Sequence, residues 1–212
     1  MICFLFAGLC GGLMMYAGDM ILYYVPEDFA YDAKSTYKEK IRAIVDVMKK
    51  IDPKRLMIGG MLGPVSAFFS CLGFYHIVLI TDERMQPVAY AAFFLACFGM
   101  IAGGAYHSHC SYLGILGEEK YGEALARVEN YFQKFPLLYY AAEGTGLLLL
   151  AFLIVSGNTV LPRWMFLFSP GILFLLRPAV NRLPKGIRIL IAGGWTNLIF
   201  VIYYLALLFV LA

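Results

Sequence analysis

Charge is scarce in this sequence. Only 15% of its 212 residues are charged, against roughly a quarter in a soluble globular domain. The net charge of +3 comes without a dense basic run, which argues against a nucleic-acid surface. Five cysteines are present, Cys3, Cys10, Cys71, Cys97 and Cys110, and none forms a CxxC pair. That spacing offers neither a disulfide framework nor a zinc motif, so they read as small hydrophobes in helix packing. The first hydrophobic stretch has no basic leader and no small-x-small cleavage site, so it reads as a retained span, not a signal peptide. Ser108 and Ser111 sit in no nucleophile elbow. There is no internal repeat and no pair of matching broken helices of the kind found in many transporters. No motif identifies a cofactor.

Apolar surface is abundant: 61% of the residues are hydrophobic and the mean hydropathy is +0.74. A bilayer needs about 20 consecutive apolar residues per helix. Six stretches meet or approach that, at about 2–25, 56–80, 87–113, 135–156, 161–177 and 187–211. The expected fold is therefore all-α, a single integral membrane domain over residues 1–212 with six transmembrane helices. The fifth is short and interrupted by Ser169-Pro170-Gly171, which predicts a kink or partial unwinding.

Two polar connections carry amphipathic patterns. Thr36-Tyr37-Lys38-Glu39 is a capping box. Ile41, Ile44, Val45, Met48 and Ile51 follow at helical spacing until Asp52-Pro53 stops the helix. Glu118–Lys134 repeats the pattern with Tyr121, Leu125, Val128 and Phe132. Both read as helices lying on the membrane surface. Fifteen of the seventeen Lys and Arg fall in the connections 26–55, 114–134 and 177–188; only Arg84 and Arg163 lie on the other side. The positive-inside rule then puts those connections in the cytoplasm and both termini outside it, in a multi-pass protein of the cell membrane.

Ionisable groups inside a bilayer are expensive and mark sites. Gly99, Gly103, His107 and Ser111 share one face of the third span, and small residues mark helix contacts, so His107 is expected to point into the bundle. His109 lies about 200° round. The two histidines therefore make a poor metal pair on one helix, and no metal site is expected. His76 lies near the end of its span and reads as interfacial.

Counted inward from the basic end of each span, Asp19 lies roughly 9 Å deep, His107 about 10 Å, Glu143 about 12 Å and Asn197 about 13 Å. Four polar residues from four helices at one depth predict a buried constellation. Asp19, His107 and Glu143 are the candidate acid–base residues. Asn197, Tyr139, Tyr204 and Ser111 are candidate ligand contacts. The tyrosines suit an amphipathic partner, so membrane lipids and a lipid-like small molecule are the expected partners. A small proton-coupled transporter and a non-catalytic membrane scaffold are the alternatives.

Gly18-Asp19-x-x-Leu22 and Gly73-Phe74-Tyr75-His76 together resemble the lysoplasmalogenase-type membrane proteins, which carry a Gly-Asp motif and a later histidine in an aromatic-rich span. That resemblance implies His76 as the partner of Asp19, where the depth argument selects His107. The members of that family are longer and have more spans. As a whole the chain resembles small uncharacterised bacterial multispan proteins, which implies no activity.

Overall fold

The structure, a computed structural model, describes residues 1–25, 37–118 and 122–211. Helix α1 (Ile2–Tyr23) buries Gly8, Gly11, Gly12 and Gly18 on one side. Helix α2 (Tyr37–Met48) is amphipathic. Helix α3 (Pro53–Phe74) starts where the sequence places its stop-and-start signal: the Asp52 carboxylate accepts from Lys54 N at 2.7 Å, and Pro53 occupies the first turn. Both are favoured there, because the first N–H groups of a helix lack partners. Helix α4 (His76–Ile80) continues α3 after a break at Tyr75. Helices α5 (Gln86–Glu118) and α6 (Gly122–Val155) are the longest. Short helices α7 (Pro170–Phe174), α8 (Arg177–Val180) and α9 (Lys185–Ile191) lead to α10 (Trp195–Leu211). Among the described residues there is no strand, only an isolated bridge between Thr81 and Thr159.

Glycine decides how these helices meet. A Cβ on Gly63 would collide with the Gly104 carbonyl and the His107 Cβ, so α3 and α5 touch backbone to backbone. Gly8 receives the ring of Tyr204 and Gly12 faces Val201, which sets α10 antiparallel to α1. Gly146 lies against Ala92 and Ala96, which does the same for α6 and α5. On the stripe expected in α5, Gly99 is filled by Glu143, whereas Gly103 has open space and Gly104 makes the contact with α3. Arg55 then locks α1 to α3. Its Nε donates to the Ile21 carbonyl at 2.7 Å and its guanidinium also reaches Met20 O and Tyr24 O. A cation on the last carbonyls of a helix satisfies groups that have no partner within the helix and meets the negative end of its dipole.

Among the described residues, four helical stretches are long and apolar enough to cross a membrane: Ile2–Tyr23, Pro53–Ile80, Glu83–Gly117 and Glu123–Val155. The bent pair Lys185–Ile191 and Trp195–Leu211, angled by 77°, passes the same test as a fifth. The expected continuous span over 161–177 is not there as one helix. A 3₁₀ segment (Arg163–Phe168), α7 and α8 take its place. The cause is local, because Ser169 and Pro170 hold extended backbone and then restart a helix. These pieces still run back along α6, since Arg163 lies by Gly157, Gly171 by the Leu147 carbonyl and Phe174 by Tyr140. They also touch α10, closing a ring of α1, α3, α5, α6, the broken segment and α10. The antiparallel pairing of α1 with α10 brings both termini to one end of the ring.

Of the two amphipathic stretches, the first stands as a separate helix, α2, and the second does not. The apolar face of α2 is turned onto the bundle, with Ile44, Val45 and Met48 buried in one cluster with Leu22, Leu56, Leu113 and Phe132. The second stretch is the beginning of α6, which runs through it and on past Pro136 without a break. Charge ends a hydropathy window, but it does not end a helix. Tyr121 of that stretch, and the capping box at Thr36, fall outside the described residues or side chains.

Candidate acid–base centre

Asp19, His107 and Asn197 come together between α1, α5 and α10. His107 Nε2 lies 3.1 Å from Asp19 Oδ1, and Asn197 Nδ2 donates to Asp19 Oδ2 at 2.6 Å. Asp19 is 4% exposed and His107 6%, so the pair is shielded from solvent on both sides. Each partner owes its place to a glycine contact: Gly18 lies against Gly59, Gly63 receives the His107 Cβ, and Gly194 receives the Tyr16 ring just before α10 begins. Tyr16 also donates to the Leu190 carbonyl at 2.6 Å, tying α9 to α1 beside the centre.

The arrangement selects a protonation pattern. A carboxylate only accepts, so the Asp19 contact places a hydrogen on Nε2, while Nδ1 faces Gly18 of α1. Nδ1 is buried with no hydrogen-bond partner among the described residues. Asn197 holds the second carboxylate oxygen and so orients Asp19 toward the ring. An imidazole backed by an oriented carboxylate, with its far nitrogen unpaired and carrying no hydrogen, can accept a proton while Asp19 stabilises the resulting charge. Removing one member of a buried charged pair typically costs about 3–5 kcal/mol.

The other expected residues lie elsewhere. Glu143 belongs to a different level: its Cβ packs on Gly99, two helical turns or about 12 Å along α5 from His107. They fall at one depth only if the helix carrying Glu143 starts at residue 135, whereas α6 starts at Gly122. In the structure α5 and α6 run on further, and Tyr106, next to His107, stacks on Phe132 at 4.1 Å. Ser111 is one turn from His107, with its hydroxyl donating to the Ser108 carbonyl at 2.6 Å. Tyr139 packs on Tyr106 with ring centroids 5.4 Å apart. Tyr204 lies toward the opposite end, in the space over Gly8. His109 sits among Tyr112, Tyr131 and Phe135, away from Asp19.

His76 is fully buried within the bundle. Its Nδ1 faces the Gly73 carbonyl at 2.7 Å and its Nε2 the Tyr203 hydroxyl at 2.8 Å. The carbonyl can only accept, so Nδ1 donates and the tyrosine donates to Nε2. Tyr203, not the expected Tyr204, meets His76; the two are adjacent and only packing separates their roles. Among the described residues no group of three or more His, Cys, Asp or Glu is arranged to hold a metal.

Fold and site thus define an all-helical protein with helices suited to crossing a membrane and a carboxylate–imidazole–amide centre buried between them. The chain belongs to DUF6796, a family of unknown function, whose model matches residues 2–212. Comparison with curated proteins and with solved structures returns no match.

Proposed function

We propose that this is an integral membrane protein whose Asp19–His107–Asn197 centre binds, and by acid–base chemistry processes, a lipid-like or amphipathic molecule. The observation that carries this reading is the buried Nδ1 of His107, which has no hydrogen-bond partner among the described residues, because unmatched buried polar atoms are uncommon and call for a partner. In the reaction Nδ1 takes a proton from the bound molecule, Asp19 stabilises the imidazolium, and Asn197 keeps the carboxylate in line. The apolar surroundings exclude water and favour a partner that enters from the lipid phase. Glu143 stands apart from this centre and takes no part in the step.

Two conservative variants test it. Asp19→Asn and His107→Gln keep much of the hydrogen bonding and are expected to remain folded by thermal melt. Wild-type protein incubated with a total membrane lipid extract should deplete or retain particular species by mass spectrometry, and both variants should lose that difference. Folded variants with an unchanged lipid profile would overturn the reading.

A small proton-coupled transporter is the second reading. It is favoured by the broken segment 163–180 and by the 77° bend between α9 and α10, which packs against Tyr16 and Met20. Irregular backbone at membrane depth is tolerated where it lines a cavity. Proton-driven uptake in proteoliposomes that Asp19→Asn abolishes, with no lipid turned over, would select it.

In either reading the chain crosses the membrane six times, the broken segment making the fifth crossing, with the basic connections in the cytoplasm. Cysteines introduced in a background without native thiols should label from the outside at Asn158 and from the cytoplasm at Lys40 and Lys120. Outside labelling at Lys40 would overturn that orientation.

A further inference from the structure

A second group of chemically able side chains lies nearer the opposite end of the ring, independent of the Asp19 centre. The antiparallel register of α3 and α5, set where Gly63 meets Gly104, brings Cys71 opposite Cys97. The Cys71 Sγ lies 3.7 Å from the Cys97 carbonyl, and the Cys97 Sγ lies 3.8 Å from the Cys71 carbonyl. Both are partly accessible, whereas Cys110 is buried and engaged by Tyr23 at 2.9 Å, and Cys3 and Cys10 are exposed.

Two buried polar atoms without partners flank this pair. The Tyr204 hydroxyl is buried in a residue with 0% exposure, has no hydrogen-bond partner among the described residues, and lies by Gly73, two residues from Cys71. Glu143 Oε1 is likewise buried and without a partner among the described residues, and the residue packs on Gly99, two residues from Cys97. Unmatched buried hydrogen-bonding groups are rare and call for a partner. The neighbouring turn carries the edge-to-face rings of Tyr75 and Phe93, with centroids 5.8 Å apart.

We propose that Cys71 and Cys97 are a redox pair that closes to a disulfide between α3 and α5 by reducing a quinone-class molecule, held by the Tyr204 hydroxyl and the Glu143 carboxyl. A quinone suits the place on three counts. It is apolar enough to reach thiols between helices, its carbonyl oxygens match a hydroxyl and a carboxyl, and it takes up two electrons with two protons. In the step both S–H bonds break and one S–S bond forms. The two electrons and the two thiol protons pass to the quinone, which leaves as the hydroquinone. Glu143 relays the Cys71 proton, since the thiolate is the reactive form.

Full-length protein in detergent micelles, reduced and then freed of reductant without oxygen, is incubated with decylubiquinone, alkylated with N-ethylmaleimide and digested. A Cys71–Cys97 linked peptide and hydroquinone in equal amount are expected. Cys71→Ser and Cys97→Ser should each abolish both products. Should either variant fail to fold, wild-type protein alkylated beforehand should show the same loss. Glu143→Gln should slow the reaction tenfold or more at an unchanged melting temperature. Full alkylation of both thiols after quinone treatment, or quinone adducts confined to Cys3 and Cys10, would overturn the proposal. So would a link formed with diamide but not with the quinone. An unchanged rate in Glu143→Gln overturns the part given to the carboxyl.

Discussion

His107→Ala is expected to destabilise the protein by about 3–5 kcal/mol, read as a drop in the thermal melt in detergent, while His109→Ala costs about 1 kcal/mol. The difference follows from what each removal leaves behind. Without His107, the Asp19 carboxylate stays buried at 4% exposure with only Asn197 donating to it. Without His109, three aromatic rings lose one neighbour and no charge is stranded. A double-mutant cycle sharpens the result. Asp19→Ala and His107→Ala together should cost less than the sum of the two, because the second removal takes away the group the first left unmatched. Asp19→Ala with Glu143→Ala should be additive to within about 0.5 kcal/mol, because Glu143 packs on Gly99 and not on the centre. Equal effects of the two histidines, or strong coupling of Asp19 to Glu143, would show the register of α5 against α6 to be wrong.

The second large effect lies in the backbone contact of α3 with α5. Gly63→Ala places a methyl against the Gly104 carbonyl and the His107 Cβ. Overpacking of this kind costs about 1–3 kcal/mol, and here it also pushes His107 away from Asp19. Gly103→Ala is the internal control. No atom lies within 4 Å of a Cβ built there, so the variant should be neutral or gain up to about 1 kcal/mol from the better helix former. Melting temperatures of the two variants decide the matter. A tolerated Gly63→Ala would mean that the two backbones do not meet at this point.

These two glycines also separate what was legible from what was not. Gly103 and His107 share a helical face, and that much follows from periodicity. Which neighbour fills the face does not, because it depends on the surface of another helix. So Gly103 is open, Gly104 carries the contact, and Gly99 is taken by Glu143.

Local rules determined the rest of what the sequence yielded by itself. Hydropathy over a window marks helices able to cross a bilayer, so four of the expected spans appear as long helices. Small-residue stripes mark the buried sides of α1 and α3, and polar residues on such stripes point inward, so Asp19 and His107 are buried. The Asp52-Pro53 signal starts α3 because a cap acts within one turn.

Only the tertiary structure decided the registers and the breaks. Glu143 parts from His107 because α5 and α6 extend past the charged residues that bounded the spans, and because side-chain fit at Gly99 and Gly146 sets how far one slides along the other. The apolar face of α2 lies on the bundle because a protein surface, not a lipid one, was there to cover it. His76 is buried because Tyr203 of α10, more than a hundred residues away, comes to meet it. A helix is written in neighbours along the chain. Contact between helices is written in pairs of surfaces, and no single stretch of sequence carries both.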